Sequence, residues 1–254
     1  MTNSSSGAAT GATIDHSQIE QFARLAEEWW DEAGPFRPLH RLNPTRLAYI
    51  RRAFLGHFGR DDRSFTPFSG LRLLDLGCGG GLLSEPMARL GFEVVGADAG
   101  EANVRIARHH AAQVGLRIDY VHASAEELAS WGESFDAILN MEVIEHVADS
   151  PAFIDACGRL LRPGGAMIVA TLNRTLRSYA LGVVAAEYLL RWVPAGTHDW
   201  NRFVRPSEFA RLLRQAGLEL SDVSGMSYDP LARDWRLSGD LGVNYIGLAI
   251  AKGN

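Results

Sequence analysis

LLDLGCGGG, residues 73–81, sets the architecture of the chain, because an apolar run passes directly into a cluster of glycines. The apolar run is typical of a buried strand, and the following LLSEPMARLG predicts a helix closed by Gly91. Glycines at such a junction let the chain turn sharply and let a ligand approach the backbone. The stretch therefore predicts a strand, a tight loop and a helix, with a ligand site at the loop.

The same alternation continues towards the C-terminus. Further strands are predicted over EVVGAD, IDYVHAS, FDAILNM, AMIVATLN and NYIGLAIA, and further helices over residues 101–114, PAFIDACGRLL and PSEFARLLRQAG. RPGG, before AMIVATLN, is predicted to be a turn. Strands that alternate with helices imply right-handed βαβ units and a parallel sheet covered on both faces. We therefore predict an α/β fold.

The composition excludes several classes of protein. The 254 residues are 46% hydrophobic and 22% charged, with a net charge of −5, which permits a sizeable core and disfavours a nucleic-acid binder. The two cysteines, Cys78 and Cys157, make no disulfide framework, so we expect a reduced cytoplasmic compartment. The first residues lack the basic and apolar segments of a secretory signal, and none is expected.

We divide the chain into a short tail and one domain. Residues 1–14 are rich in Ser, Gly, Ala and Thr, which predicts a disordered tail. Residues 15–254 are expected to form a single domain. Within this domain, residues 15–60 are expected to form helices that cover the ligand site. Capping-box spacing starts the first helix at Asp15, and Asn43–Pro44 is a good start for the second.

Two aspartates indicate which ligand the loop holds. Asp98 ends the second strand about 20 residues beyond Gly77, a spacing at which an acidic side chain binds ribose hydroxyls. Asp75 lies just before the glycines, where its charge would repel the pyrophosphate of NAD, and the glycines lack G-x-G-x-x-G spacing. S-adenosylmethionine carries a sulfonium and an ammonium group and no phosphate, so a carboxylate there favours it. A tight turn without a ligand is the remaining alternative.

Longer blocks of the sequence resemble known proteins. DLGCGGG, Asp98, FDAILNMEVIEH and LRPGG together resemble the class I S-adenosylmethionine-dependent methyltransferases. WWDEAGPFRPLHRLNPTR, MEVIEHV, TLNRT and AEYLLRWVPAGTHDW are similar to blocks of the ubiquinone biosynthesis O-methyltransferase family. This second resemblance covers nearly the whole chain, from Asp15 to about Ile250.

The resemblance implies a fold and an activity. It implies a Rossmann-like, seven-stranded, mostly parallel sheet with an antiparallel last strand and a helical insert after the fifth strand. The implied activity is methylation of ring hydroxyls on polyprenylated catechols and quinols, namely 2-polyprenyl-6-hydroxyphenol and 3-demethylubiquinol. Another small-molecule methyltransferase, acting on carbon or nitrogen, and a non-catalytic assembly protein of a lipid-quinone biosynthetic complex remain alternatives.

The resemblance also implies cofactor contacts. Arg46, within NPTR, would pair with the carboxylate of the methionine moiety, since a guanidinium binds carboxylates bidentately. Met141 would lie against the adenine or the sulfonium, since its thioether is polarizable. The alternatives are a solvated helix arginine and a core methionine. With the loop residues, the predicted cofactor-binding residues are Arg46, Asp75, Gly77, Gly79, Asp98 and Met141.

The block MEVIEH carries the candidate catalytic residues Glu142, Glu145 and His146. Glu142 and His146 are four residues apart and would share one face of a helical turn. His146 is the candidate general base for a ring hydroxyl, because imidazole titrates near neutral pH, and Glu142 would orient it. A divalent cation held by the three residues, as the resemblance implies, is a second hypothesis. In a third, Glu145 and His146 cap a helix and contact no substrate.

Residues 174–198 form an apolar insert after the fifth predicted strand. About 20 uninterrupted apolar residues are needed to span a membrane, and Glu187 and Arg191 interrupt this shorter run. Because a polyprenyl tail dissolves in a bilayer, we expect a helix that lies on an anionic membrane surface and covers the substrate entrance. The protein would then associate peripherally with the inner face of the cell membrane, beside other ubiquinone-biosynthesis enzymes. A buried helix or a dimer contact is the alternative.

Overall fold

The computed structural model describes Thr13, Asp15 and residues 26–180, 199–229, 231–232 and 234–252. The strands of this part of the chain are β1 (Arg72–Leu76), β2 (Glu93–Asp98), β3 (Asp119–His122), β4 (Phe135–Met141), β5 (Leu161–Leu172), β6 (Leu218–Asp229), β7 (Asp234–Ser238) and β8 (Asn244–Ala251). The α-helices are α1 (Arg37–Phe58), α2 (Ser84–Arg89), α3 (Glu101–Gln113), α4 (Ala125–Ser130), α5 (Ser150–Leu160), α6 (Leu176–Ser178) and α7 (Pro206–Gln215).

The described strands form one eight-stranded sheet in the order β3-β2-β1-β4-β5-β8-β6-β7. The first five strands of the chain are parallel, whereas β8 is antiparallel to both β5 and β6. The predicted α/β class, the mostly parallel sheet and the antiparallel last strand are therefore confirmed. The sheet has eight strands in the described residues rather than the seven implied, because β7 pairs with β6 as an additional antiparallel strand.

The central strands are apolar on both sides because helices cover both faces of the sheet. Leu73 and Leu139 face one core with Ile50 and Phe54 of α1. Leu74, Ile138 and Val169 face the opposite core, against α5 and α7. Side chains alternate between the faces of a strand, so an apolar run without alternation is the pattern of a strand buried on both sides.

The start of α1 differs from the prediction. The helix begins at Arg37 rather than at Asn43–Pro44, so residues 37–42 already form its first turns. Pro38 lies in the first turn, where proline loses no helical hydrogen bond. Pro44 lies inside the helix and gives up one backbone donor. The burial of Tyr49 and Ile50 on the same helix offsets that loss.

A second difference concerns RPGG, which lies within β5 rather than in a turn before it. The β4–β5 pairing shifts register between Phe135 and Ala137, opposite this segment. Gly164 has a φ of +74°, so the local geometry is turn-like although the strand continues. A strand irregularity uses the same residue types as a turn, and the sequence alone does not separate them.

Parts of the predicted termini and insert lie outside the described residues. These parts are most of the predicted tail, most of the helix from Asp15 to Trp29, and residues 181–198 of the insert. Thr13 is described: it is buried, and its Oγ1 donates a hydrogen bond to Glu126 at 2.6 Å. Ala26–Glu28 form a 3-10 helix, and α6 is the described beginning of the insert. No helix within the described residues is long and apolar enough to cross a membrane.

Candidate active site

The glycine loop follows β1 and contains three glycines with a positive φ, the first two of which flank Cys78. Gly77 and Gly79 have φ values of +71° and +54°. The N–H groups of Gly77 and Cys78 both donate to the Ala97 carbonyl of β2, at 2.8 and 3.0 Å. A Cβ atom on Gly77 would lie 2.5 Å from a methyl carbon of Val143, so the loop contacts the segment after β4. The loop therefore lies between the ends of β2 and β4, as predicted for a ligand site.

Asp98 ends β2 beside this loop. Its Oδ2 accepts a hydrogen bond from the Gly79 N–H at 2.9 Å, and its Oδ1 accepts one from the Gly100 N–H at 2.8 Å. The Asn103 amide donates to Oδ1 at 3.1 Å. Burial raises the pKa of Asp98, and these three hydrogen bonds lower it in part. The predicted ribose-binding carboxylate and the predicted glycines are thus brought together.

Asp75 lies beneath the loop, with 2% of its surface exposed. The Ser84 hydroxyl, at the start of α2, donates to its Oδ2 at 2.5 Å. Burial raises the pKa of Asp75 to about 6, and the negative charge of Asp98 contributes to the increase. The buried Asp75 carboxylate and the half-buried Asp98 carboxylate favour a cationic ligand over a phosphate, which agrees with the preference inferred for S-adenosylmethionine.

Arg46 of α1 and Glu142, directly after β4, form an ion pair. Arg46 is only 3% exposed, and its Nε atom has no hydrogen-bond partner among the described residues. A buried donor without a partner is costly, and a guanidinium pairs best with a carboxylate. The residues present therefore fit a ligand that brings its own carboxylate, as the methionine moiety does. Met141, the last residue of β4, packs partly buried against the core beside this pair.

The arrangement of the acidic block differs from the predicted helical turn. Glu142 has a φ of +59°, which is unusual for a residue with a side chain, and it precedes a 3-10 helix at Ile144–His146. The prediction that Glu142 and His146 share one face of a helical turn was therefore wrong, because an α-helical face requires helical backbone at both positions. His146 is half-buried, at the end of that 3-10 helix.

Glu145 is buried, whereas Glu142 and His146 are half-buried. The Thr171 hydroxyl of β5 donates to its Oε2 at 2.9 Å. Burial, followed by the charge of Glu142, raises its pKa to about 8. In this arrangement the neutral form of Glu145 is favoured more than that of an exposed glutamate.

The hypothesis of a divalent cation can be tested against these donors. Across the described part of the chain, no group of three or more His, Cys, Asp or Glu side chains could hold a metal ion. Glu142 faces the Arg46 guanidinium, and Glu145 is buried against Thr171. The donor set in this arrangement does not fit a divalent ion, so we derive no step through one.

Sequence reasoning did not single out Trp29 and Asn103 as site residues. The Trp29 indole contacts the glycine loop, and Asn103 connects it to Asp98. The WWD stretch belongs to a block that carries the family resemblance, but nothing in its pattern indicates which tryptophan meets the loop.

Comparisons with known proteins agree with this geometry. Residues 47–223 match a family model described as a methyltransferase domain. Among solved structures, the magnesium protoporphyrin IX methyltransferase of Synechocystis PCC 6803 with bound SAH superposes with a TM-score of 0.65 at 19% identity, covering 93% of this chain and 97% of that one. The plantazolicin methyltransferase BamL, also with SAH, gives 0.63 at 17% identity, with coverages of 94% and 99%.

Together the fold and the site define a Rossmann-like, S-adenosylmethionine-dependent methyltransferase. The ubiquinone biosynthesis O-methyltransferase of Dinoroseobacter shibae is 56% identical over 239 residues, which cover 94% of this chain and 96% of the relative. The protein of the same name from Sinorhizobium medicae is 56% identical over 237 residues, with coverages of 93% and 96%. The chain belongs to the ubiquinone biosynthesis O-methyltransferase family, and the resemblance seen in the sequence is confirmed.

The contact between Gly77 and Val143 gives a first prediction. Gly77 and Gly115 share a φ of +71°, but a Cβ atom meets Val143 only at Gly77, and at Gly115 it meets nothing within 4 Å. Gly77→Ala should weaken S-adenosylmethionine binding about tenfold or more in calorimetry. Gly115→Ala should lower only the stability of the fold, through backbone strain, and should leave the affinity unchanged. Equal affinities of the two variants would show that the Gly77–Val143 contact does not shape the cofactor site.

The buried carboxyl of Glu145 gives a second prediction. Its pKa is about 8 in the folded protein against an ordinary value of 4.5, so the folded state binds more protons between these values. The free energy of unfolding should therefore fall as pH rises through this window. Glu145→Gln stays neutral, so its stability relative to the wild type should increase by about 1 kcal/mol or more between about pH 5.5 and pH 8.5.

Urea unfolding at both pH values measures this difference. The exposed Glu27, changed to Gln, is the matched control and should give the same stability difference at both pH values. A Glu145→Gln difference that does not change with pH would mean that Glu145 is ionised across the whole range.

Proposed function

We propose that this chain transfers the methyl group of S-adenosylmethionine to ring hydroxyls of polyprenylated catechol and quinol intermediates of ubiquinone biosynthesis. The intermediates are 2-polyprenyl-6-hydroxyphenol and 3-demethylubiquinol. The names of relatives 56% identical over nearly the whole chain support the pathway. The observation that carries the proposal is the buried Arg46 guanidinium, with its unpartnered Nε, at the same sheet edge as the carboxylates of Asp75 and Asp98.

In this proposal the carboxylate and the ammonium group of the cofactor each meet an opposite charge of the protein. Arg46 binds the carboxylate of the methionine moiety, and Asp98 accepts hydrogen bonds from the ribose hydroxyls. Asp75 faces the ammonium group, directly or through water. Gly77 and Gly79 bring the backbone close to the ligand, and Met141 lies against the adenine or the sulfonium.

Methyl transfer is an in-line displacement in which the acceptor oxygen attacks the methyl carbon. The carbon–sulfur bond breaks, an oxygen–carbon bond forms, and the sulfonium leaves as the neutral thioether of S-adenosylhomocysteine. The protein aligns the three atoms and removes the hydroxyl proton. We assign the proton to His146, whose imidazole is half-buried at the end of the 3-10 helix that follows β4.

The two glutamates support this chemistry without taking the proton. Glu142 holds the Arg46 guanidinium in place through their ion pair. Glu145 is buried and accepts a hydrogen bond from the Thr171 hydroxyl, and its raised pKa favours the neutral form beside Glu142. A backbone held in the left-handed region at Glu142 costs about 1 kcal/mol or more, and such outliers cluster at functional sites.

The proposed function gives each segment of the chain a role. Residues 15–254 form the methyltransferase domain after the tail 1–14, and 15–60 cover the cofactor site. The insert 174–198 covers the substrate entrance and lies on the anionic inner face of the cell membrane, beside other enzymes of the pathway. Two exposed apolar side chains at the base of the insert support this proposal, since Leu176 is 81% exposed and Tyr179 is 47% exposed.

A test of the proposal is the transfer of labelled methyl from S-adenosylmethionine to a prenylated catechol and to the same catechol without its tail. With anionic vesicles present, we expect methylation at oxygen and a preference of tenfold or more for the tailed substrate, since each buried CH₂ group contributes about 0.8 kcal/mol. Methylation at carbon or nitrogen would show that the acceptor is not a ring hydroxyl. Absence of turnover despite cofactor binding would favour a non-catalytic assembly protein.

The membrane contact needs a separate comparison within the same assay. Leu176→Glu should raise KM for the tailed catechol in vesicles and leave the tail-less catechol unaffected. Leu231, 96% exposed in the turn between β6 and β7, is the matched control, and Leu231→Glu should change neither KM. Equal KM values for Leu176→Glu and Leu231→Glu would show that the base of the insert does not contact the membrane.

A further inference from the structure

We infer that Trp29 and Asn103 are positioning residues of the cofactor site, which together hold the Asp98 carboxylate and the glycine loop in one geometry. This inference rests on the proposed role of Asp98 at the cofactor ribose. Neither residue lies among the cofactor or catalytic residues assigned above. They reach the site through a chain of two hydrogen bonds, one buried and one partly buried, that starts outside the sheet.

The first step is the orientation of the Asn103 amide. Its Oδ1 accepts a hydrogen bond from the Trp29 indole N–H at 3.0 Å, and its Nδ2 donates to Asp98 Oδ1 at 3.1 Å. An indole nitrogen can only donate and an ionised carboxylate can only accept. The amide therefore satisfies both partners in one orientation only. Trp29 and Asn103 are both at least nine-tenths buried, so water does not readily replace either bond.

The second step is the contact of the same indole with the loop. A Cβ atom on Gly79 would lie 2.5 Å from the Cη2 and Cζ2 atoms of Trp29, and one on Gly80 would lie 2.4 Å from its Cγ. Phe36 stacks on the indole with ring centroids 3.9 Å apart. The neighbouring Trp30 donates from its indole N–H to the Gly80 carbonyl at 3.0 Å. The two tryptophans thus fix the loop from the side of α1 and α3.

These contacts orient the Asp98 carboxylate. Its Oδ1 accepts from Gly100 and Asn103, whereas its Oδ2 accepts from Gly79 of the loop. A carboxylate has about four acceptor positions, so these donors fix its plane and leave capacity for a ligand hydroxyl. Without the Asn103 bond the carboxylate can rotate away from the ribose. The loss should therefore appear in cofactor binding rather than in the chemical step.

Calorimetric binding of S-adenosylmethionine, without an acceptor, tests the inference. Asn103→Ala and Trp29→Phe should each raise the Kd about tenfold, and Trp29→Phe keeps an aromatic ring while it removes the N–H donor. In steady-state assays KM for the cofactor should rise while kcat stays within about twofold. In the double variant the loss of affinity should be smaller than the sum of the two single losses, because the Trp29 N–H acts through Asn103.

Trp200→Phe is the matched control. Its indole N–H donates to the Thr175 carbonyl at 2.8 Å, and the change should lower the thermal midpoint without altering the Kd. The inference is overturned if Trp29→Phe behaves like Trp200→Phe, or if the two single effects on binding add in the double variant. Because no acceptor is present, a wrong acceptor class leaves these results unchanged. A wild-type protein that binds no cofactor would instead contradict the proposed function itself.

Discussion

The hydrogen bond from the Gly79 N–H to the Asp98 carboxylate is the interaction on which the functional edge of the sheet depends. It joins the end of β1 to the end of β2 across 19 residues of sequence, and it requires a left-handed backbone at Gly79. A carboxylate buried at this position is costly unless donors satisfy it. The loop amides supply those donors, so the turn and the charge stabilise one another.

The same edge gathers four charged side chains, of which Asp75 and Arg46 are buried. Asp75 and Asp98 lie on the β1–β2 side, and the Arg46–Glu142 pair lies on the β4 side. S-adenosylmethionine carries charges of both signs to this edge, because its methionine moiety has an ammonium and a carboxylate on one carbon and a sulfonium further along. A dinucleotide would bring its phosphates to Asp75 instead. The order β2-β1-β4 in the sheet makes the match possible, since it brings three loops to one edge.

The sequence predicted the centre of the fold well, because strands buried on both faces are unbroken apolar runs. FDAILNM and NYIGLAIA match β4 and β8 residue for residue. The periphery was harder to predict. β7 is only partly buried, so its sequence lacks a clear apolar pattern. The early start of α1 depends on tertiary packing that outweighs an interior proline, which no local signal indicates.

The predicted cofactor residues come together, whereas the predicted geometry of the acidic block does not. Loop position and spacing along the chain placed Asp98 and Gly77 correctly, since both follow from strand ends. The left-handed backbone at Glu142 could not be read from its residue type, because glycine or asparagine is usual there. Trp29 was missed because its contacts come from folding a distant segment onto the loop.

The central claim is that this edge binds S-adenosylmethionine with Arg46 at its carboxylate. Calorimetry of the cofactor and of its decarboxylated analogue, on the wild type and on Arg46→Gln, tests it most directly. We expect the wild type to bind S-adenosylmethionine about tenfold or more tightly than its decarboxylated analogue. Arg46→Gln should lose most of this preference. A preference that survives in Arg46→Gln would contradict the account, because another residue would then bind the carboxylate.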